Sequence, residues 1–486
     1  MNLFAYFKKT PDLKAPLRFH NTLSGTTEVF QPLSKDSAVR MYNCGPTVYD
    51  FQHIGNLRPY VFADVIRRSL LLWGYSVKQV INITDVGHLV SDADEGEDKM
   101  EKGAKARGQS VEDLVQEVTE AFMTDLDALN IDRKKITFPR ATEYIGEQIA
   151  LVEALDQKGY TYQIEDGIYF DTSKFKEYGK LGHINLAGQE EGARIGITEG
   201  KRNPADFALW KFSKGEKRLQ EWESPWGVGF PGWHLECTAM IFKLLGRQID
   251  IHTGGIDHIP VHHNNEIAQA EGATGKQYVR YWMHNAFITI EGKKISKSLG
   301  NTIYLHSIIE RGFNPLAYRY LLLTAHYRSP LNFTWTALEA SATALTRLHK
   351  IFFEELPKKG VATEQFITAF TEAIGDDLNT PKALALVWET LKDATLTPAQ
   401  KRGNVLYADR VLGLGLNDGV KRMGSMKSLS VLQVADLPAD VQTKVEARET
   451  ARQNKDFTEA DRLRDELKEL GYKIEDNAEG RVVRKI

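Results

Sequence analysis

Residues 38–84, AVRMYNCGPTVYDFQHIGNLRPYVFADVIRRSLLLWGYSVKQVINIT, decide the fold. Ala38 to Cys44 alternates modestly between polar and apolar residues and breaks at Gly45-Pro46, as a strand does on entering a turn. From Leu57 to Trp73 the apolar residues Val61, Phe62, Val65, Ile66, Leu70 and Trp73 recur at helical spacing, and Gly74 supplies a stop. Pro59 then belongs in the first turn, where its missing N–H costs nothing. Ser76 to Thr84 is a β-branched run of strand character. Strand, helix and strand joined by a crossover make half of a doubly wound parallel sheet.

The other half lies far along the chain. Gln248 to His252 and Ala286 to Ile290 are strand candidates separated by a helical stretch rich in Ala and Glu, so the sheet is expected to be split. Between the halves come helical patterns from about Val111 to Leu129 and from Ile145 to Gly159. A Gly-rich region with short strands follows to about Gly227, and together these predict a connective insertion. Beyond Asn301 the pattern is wholly helical to about Asn417, with one start at Thr380-Pro381, Thr as cap and Pro at the first position. A Gly- and Met-containing linker near Gly419 to Ser428 leads to a small terminal unit of mixed charge.

Composition narrows the class. At 486 residues the chain exceeds what one hydrophobic core sustains, and 42% hydrophobic with 26% charged residues is the balance of an ordinary globular protein. No stretch approaches the roughly 18 consecutive apolar residues of a membrane span, and a cytoplasmic protein with no membrane partner is expected. A net charge of −3 means that any nucleic acid must be met by local basic patches rather than a global field. Cys44 and Cys237, the two cysteines, lack the close spacing of a zinc finger or a redox pair and on their own read as buried reduced thiols.

Two short peptides carry chemistry. His53-Ile54-Gly55-Asn56 falls where a loop passes into a helix, and free backbone N–H groups with the helix dipole favour phosphate there. His53 and Asn56, three residues apart, are placed to donate to nucleotide phosphates, and Gly55 permits close backbone approach. Lys294-Ile295-Ser296-Lys297-Ser298 follows a strand and is bracketed by Gly292 and Gly300. It predicts a mobile basic loop able to close over the β- and γ-phosphates. His262 and Glu266 stand four apart, which puts an imidazole and a carboxylate on one helix face, and with the two thiols they make a plausible metal set.

HIGN and KISKS, in that order within one split sheet, resemble the HIGH and KMSKS signatures of class I aminoacyl-tRNA synthetases. The likeness narrows to the cysteine-specific branch through residues 43–50 (NCGPTVYD), 201–204 (KRNP), 231–237 (PGWHLEC), 250–257 (DIHTGGID), 262–266 (HHNNE) and the tail around Lys455-Asp456-Phe457. It spans roughly Leu17 to Gly480. The resemblance implies an α/β split Rossmann-type catalytic domain, a helical bundle and a small domain of the anticodon-binding type. It implies formation of cysteinyl-adenylate from L-cysteine and ATP, with Mg2+, and then transfer to tRNA(Cys) by a monomer. One zinc ion on Cys44, Cys237, His262 and Glu266 would select the substrate thiolate over a serine hydroxyl, a choice that size alone makes poorly.

By the same likeness His53, Asn56, Lys294 and Lys297 are catalytic. His53, Gly55, Asn56, Gly254, Gly255, Asp257 and Lys297 contact ATP, and Thr84, Trp233 and His252 surround cysteine. Arg452, Phe457, Asp461 and Asp476 lie near the anticodon. The corresponding divisions are a tail at 1–16, catalytic halves at 17–145 and 228–301, the insertion at 146–227, the stem-contact region and bundle at 302–418, and linker with anticodon domain at 419–486. Asn56 replaces the second histidine of HIGH, Ile295 replaces Met, and Thr253-Gly254-Gly255 stands for three glycines. The acidic residues Asp92, Asp94, Glu95, Glu97 and Asp98 extend a turn that is usually shorter. Two rivals share much of this pattern: a ligase joining cysteine to an aminosugar, which normally lacks the tail, and a catalytically silent RNA-binding paralogue.

Overall fold

The computed structural model describes residues 15–87, 98–183, 199–213, 218–296, 299–416, 437–454, 456–477 and 480–485. Five strands, β1 (Val39–Asn43), β2 (Val77–Ile81), β3 (Ile136–Thr137), β4 (Ile249–Gly255) and β5 (Val279–Asn285), form one sheet in the order β5-β4-β1-β2-β3. Every pairing in it is parallel. All seven residues of β4 are buried, as in a strand covered on both faces, and they include the polar Asp250, His252 and Thr253. The chain leaves β1 for β2 on one side, and β4 returns from the second half to pair with β1 on the other. Strand order therefore reverses between β1 and β4. In an open parallel sheet the crevice at the carboxyl ends of such a pair is where ligands bind.

Helix α1 (Ile54–Leu72) makes the first crossover. Its start is a capping box: His53 Nδ1 accepts from the Asn56 backbone N–H at 3.2 Å, and the Asn56 side chain accepts from the His53 N–H at 3.3 Å. That box begins the helix three residues before the apolar periodicity does, so Pro59 falls in the second turn instead of the first. Gly74, at φ +89°, ends it as expected.

The expected strand at 286–290 is corrected in two ways. The second-half strand beside β4 is β5, which was not foreseen, and residues 288–290 belong to a separate small sheet. There β6 (Ile288–Ile290) pairs antiparallel with β7 (Lys293–Lys294) and parallel with β8 (Leu331–Phe333). Strand β8 also breaks the wholly helical region expected after Asn301. Three residues are too few to carry a period, and pairing with β6 decides their conformation. The helix beginning at Thr380 is capped by Asn379, whose side chain accepts from the Lys382 N–H, so the cap lies one residue earlier than expected.

Three strands of the insertion, Thr161–Ile164, Gly167–Phe170 and Phe207–Phe212, form an antiparallel sheet with a fourth, Gly229–Pro231, which lies just beyond the insertion's expected end at 227. Its core residues, Phe170, Phe207 and Trp210 among them, pack with Leu235 and Ala239 of helix α2 (Trp233–Leu244). Helix α3 (His262–Thr274) crosses from β4 to β5. On one face of the main sheet, α1 joins the helical region in a single large core. On the other, Tyr42, Cys44, Cys237, Ile267 and Trp282 share a second core. The terminal unit consists of helices Ala439–Gln453 and Phe457–Glu469 and the hairpin Tyr472–Asn477 with Gly480–Lys485. The linker at 419–428, and the acidic residues 92, 94, 95 and 97, lie outside the described residues; Asp98 caps the helix Lys99–Arg107.

Candidate active site and metal centre

The crevice at the ends of β1 and β4 has a buried floor, and four of its donors come from three elements. Cys44 leaves the end of β1, its N–H donating to the Thr253 carbonyl of β4 at 3.2 Å. Cys237 comes from α2, and His262 with Glu266 from the first turns of α3, where their spacing of four brings His262 Nε2 to 3.2 Å from Glu266 Oε1. The donor atoms of Cys44, Cys237, His262 and Glu266 all lie within 4.8 Å of one another. A second set, Cys44, His252, His263 and Glu266, meets the same limit and shares two members with the first. Cys44 Sγ is 3.2 Å from His263 Nε2, and Cys237 Sγ is 3.7 Å from His262 Nε2.

The donor set suits a cation. Glu266 Oε2 is held by Tyr278 Oη at 3.3 Å and His252 Nε2 at 3.0 Å, whereas the buried Oε1 faces His262 Nε2 at 3.2 Å without making a hydrogen bond. A buried carboxylate oxygen left so would cost free energy in the absence of a cation. Burial, the adjacent Cys237 thiol and the Glu266 charge push the Cys44 thiol well up. For Cys237 the bond with Cys44 pulls down, but burial and Glu266 outweigh it and the net direction is upward. Burial first, then the neighbouring His252, holds His263 well below the ordinary imidazole range, and burial does the same to His284. Protonated thiols and neutral imidazoles around one carboxylate form a nest of lone pairs and exchangeable protons. A divalent ion there would take the lone pairs and release the thiol protons.

Around that floor stand the residues expected to meet cysteine. Trp233 opens α2, its ring centroid 4.6 Å from that of His262. The buried Thr84 hydroxyl donates to Glu236 Oε2 at 3.0 Å. His252, on β4, stacks on Trp282 with centroids 4.6 Å apart. Gly254 belongs here too, because a Cβ on it would come within 2.7 Å of both the His258 and the His263 rings. Gly255 and Asp257 follow at the end of β4, the Asp257 carboxylate largely exposed.

The rim is made by α1 and the basic loop. In the capping box His53 uses Nδ1 as acceptor, which puts the proton of the neutral ring on Nε2, while Asn56 uses Oδ1 and keeps its NH2 as donor. Gly55 lies against the loop, since a Cβ there would be 2.8 Å from Ile295 Cδ1. Lys294 ends β7 and is exposed; Lys297 lies outside the described residues. Asn301 pins the loop by accepting from the Ser296 N–H at 2.9 Å and donating to the Lys294 carbonyl at 3.0 Å.

The anticodon candidates sit in the terminal unit. Arg452 is near the end of its first helix, and Phe457 starts the second with an exposed ring. Asp461, one turn on, pairs with Arg464 at 3.0 Å, and Asp476 falls on the first strand of the hairpin.

Sequence reasoning gave no role to His234, Glu236, His258, His263, Trp282, His284 or Asn301. The doubled His262-His263 was the one local signal. His284 and Trp282 reach the floor through β5, the strand that the pattern did not reveal.

Comparison with known proteins agrees with this geometry. A family model described as the class I tRNA synthetase (C) catalytic domain matches residues 29–343, and one for the cysteinyl-tRNA ligase anticodon-binding domain matches residues 434–484. A cysteine–tRNA ligase of Burkholderia lata is 48% identical, covering 96% of both chains, and one of Treponema denticola is 43% identical over 95% of this chain and 98% of its own. Among solved structures, a methionyl-tRNA synthetase of Mycobacterium tuberculosis with methionyl-adenylate has a TM-score of 0.52 at 15% identity, covering 81% of this chain and 93% of its own. A leucyl-tRNA synthetase ternary complex of Agrobacterium radiobacter K84 has 0.57 at 12%, covering 82% and 86%. These two share the fold. No helix among the described residues is long and apolar enough to cross a membrane.

Proposed function

The chain belongs to the cysteine–tRNA ligase family of class I aminoacyl-tRNA synthetases, and from that premise we propose that it activates L-cysteine with ATP and transfers the cysteinyl group to tRNA(Cys). The carboxylate of cysteine attacks the α-phosphorus, pyrophosphate leaves, and a terminal ribose hydroxyl of the tRNA then displaces AMP from the acyl carbon. No protein nucleophile is needed, and the enzyme contributes placement and charge stabilisation.

In this reading His53 Nε2–H and the Asn56 amide donate to ATP phosphates at the N-terminus of α1, with Gly55 allowing the approach. Lys294 and Lys297 neutralise the leaving pyrophosphate, whose Mg2+ accompanies ATP. Gly254, Gly255 and Asp257 face adenosine. Thr84, Trp233 and His252 enclose cysteine above the floor. Cys44, Cys237, His262 and Glu266 would hold Zn2+, which when bound offers a soft acceptor for a thiolate and little for a hydroxyl. The convergence of these four donor atoms within 4.8 Å of one another, with Glu266 Oε1 buried and making no hydrogen bond, is the observation that carries this assignment.

Arg452, Phe457, Asp461 and Asp476 read the anticodon by stacking and base-edge hydrogen bonds. Labour is divided as the divisions at 17–145, 146–227, 228–301, 302–418 and 419–486 imply, in a cytoplasmic monomer. The test is cysteine-dependent ATP–pyrophosphate exchange, followed by charging of tRNA(Cys) or of an aminosugar. Exchange with cysteine but not serine, and charging of tRNA alone, is expected; exchange without tRNA charging would reject the reading.

A further inference from the structure

Arg58 is used by neither the floor nor the phosphate-binding peptides, yet it is the most heavily bonded side chain of α1. It is 3% exposed. Its partners are five backbone carbonyls: Nη1 donates to Ala286 at 2.9 Å and Phe287 at 2.8 Å, and Nη2 to His326 at 3.4 Å, Tyr327 at 3.1 Å and Ser329 at 2.7 Å. Among the described residues no carboxylate pairs with it. A guanidinium buried without a counter-ion is costly to keep, and convergent carbonyl dipoles are what offset that cost here.

Those carbonyls belong to two specific places. Ala286 and Phe287 form the link from β5 into β6, and residues 326–329 precede β8. The two links are also tied to each other, Ala286 N–H to the Tyr327 carbonyl at 2.9 Å and Leu331 N–H to the Phe287 carbonyl at 3.1 Å. Strands β6 and β8 pair in parallel, and β7, antiparallel to β6, itself carries Lys294, three residues before Lys297 in the chain. Arg58 thus grips both chain entries to the small sheet from the helix whose N-terminus carries His53 and Asn56. Phe62, one turn further along α1, stacks on Tyr327 with centroids 4.3 Å apart and reinforces the same junction.

We infer that Arg58 is a positioning residue for activation: it fixes the root of the lysine-bearing hairpin relative to the His53–Asn56 end of α1, so that both reach one triphosphate. The inference rests on the activation reaction proposed above. A fork is required because two nitrogens serve two separate chain segments, whereas an ammonium presents its donors from one point. Nothing in this contact touches the thiol–imidazole floor, so cysteine binding and metal content should be insensitive to it.

The experiment uses the full-length enzyme with Arg58→Met and Arg58→Lys. Pyrophosphate exchange gives kcat and the KM for ATP, equilibrium dialysis gives cysteine affinity without ATP, and metal analysis gives zinc content. For Arg58→Met the expected result is at least about a tenfold fall in kcat with a raised KM for ATP, while cysteine affinity and zinc stay within about twofold. Arg58→Lys should recover part of the loss. Equal losses in ATP kinetics, cysteine affinity and zinc would make Arg58 merely structural and overturn the inference. Should Arg58→Met not fold, Arg58→Lys decides: wild-type kcat and KM would overturn it, and a selective ATP defect would support it. A wild-type enzyme without cysteine-dependent exchange would instead refute the underlying reaction.

Discussion

The floor and the rim of the crevice are built on opposite plans. The floor gathers residues from β1, β4, β5, α2 and α3, elements far apart in the chain, and buries nearly all of them: His252, His263 and Glu266 are each 0% exposed. The rim consists of two short peptides, and among its described residues Asn56 and Lys294 are exposed and His53 is half-buried. Burial gives the floor a fixed geometry in which small changes are costly. Exposure gives the rim room to close over a nucleotide, at the expense of needing other residues to hold it in register. On the function proposed above, substrate choice would reside in the buried half and rate in the exposed one.

The largest effect should come from removing a floor donor. Cys237→Ser takes away a thiol from a site where Cys44, His262 and Glu266 cannot rearrange freely, so zinc is expected to be lost by metal analysis. Cysteine binding should then weaken greatly while poor serine binding changes little, because serine gained nothing from the metal. The cysteine-over-serine activation ratio should fall from the order of 10⁴, which one specific bond can supply, towards roughly 10², which shape alone supplies. Unchanged zinc and an unchanged ratio would reduce Cys237 to a buried thiol and erase the contrast between the two regions.

A smaller and different loss is expected at the rim. Lys297→Ala removes one charge-stabilising donor and should lower adenylate formation by about 10²-fold, some 3 kcal/mol, with zinc content and the cysteine-to-serine ratio intact. Near-normal exchange in the folded variant would take the lysine out of the mechanism. If the ratio fell with the rate, selection would not be confined to the floor.

The same contrast decides what was legible in the sequence. HIGN and KISKS are each contiguous, and a helix entry and bracketing glycines mark them in the local pattern, although the helix begins three residues before its apolar periodicity and the strand before KISKS belongs to the small sheet. The pair His262 and Glu266 was legible because helical spacing puts them on one face. Cys44 and Cys237 reach them only by topology: β4 must pair with β1, and α2 must pack beneath. Resemblance supplied that, and spacing could not. His284 and Trp282 were missed because β5 is a buried strand containing Arg280, His284 and Asn285, which breaks the apolar run that usually betrays such a strand. Arg58 gave no sign either, since an arginine on a helix is ordinarily a solvated charge. Its meaning depends on two loops more than 200 residues away in sequence, at |i−j| of 228 to 271.

The mildest test concerns a place where the two rim peptides touch. At Gly55 an added methyl would lie 2.8 Å from Ile295 Cδ1 and 2.9 Å from the His53 ring. The first contact is with the far end of a flexible side chain, so the loop can yield, and the backbone of α1 need not move. Gly55→Ala should then cost about 1 kcal/mol, towards the low end of overpacking, read as a roughly fivefold fall in kcat/KM for ATP without change in zinc. Ile295→Val removes the offending Cδ1 while keeping a β-branched side chain. If the loop truly rests on Gly55, the double variant should recover most of the loss, giving a coupling energy that two independent sites would not show. Strict additivity of the two substitutions would mean that the methyl acts through the His53 ring instead. The rim would then be set by the helix cap alone, with the loop approaching only when nucleotide is bound.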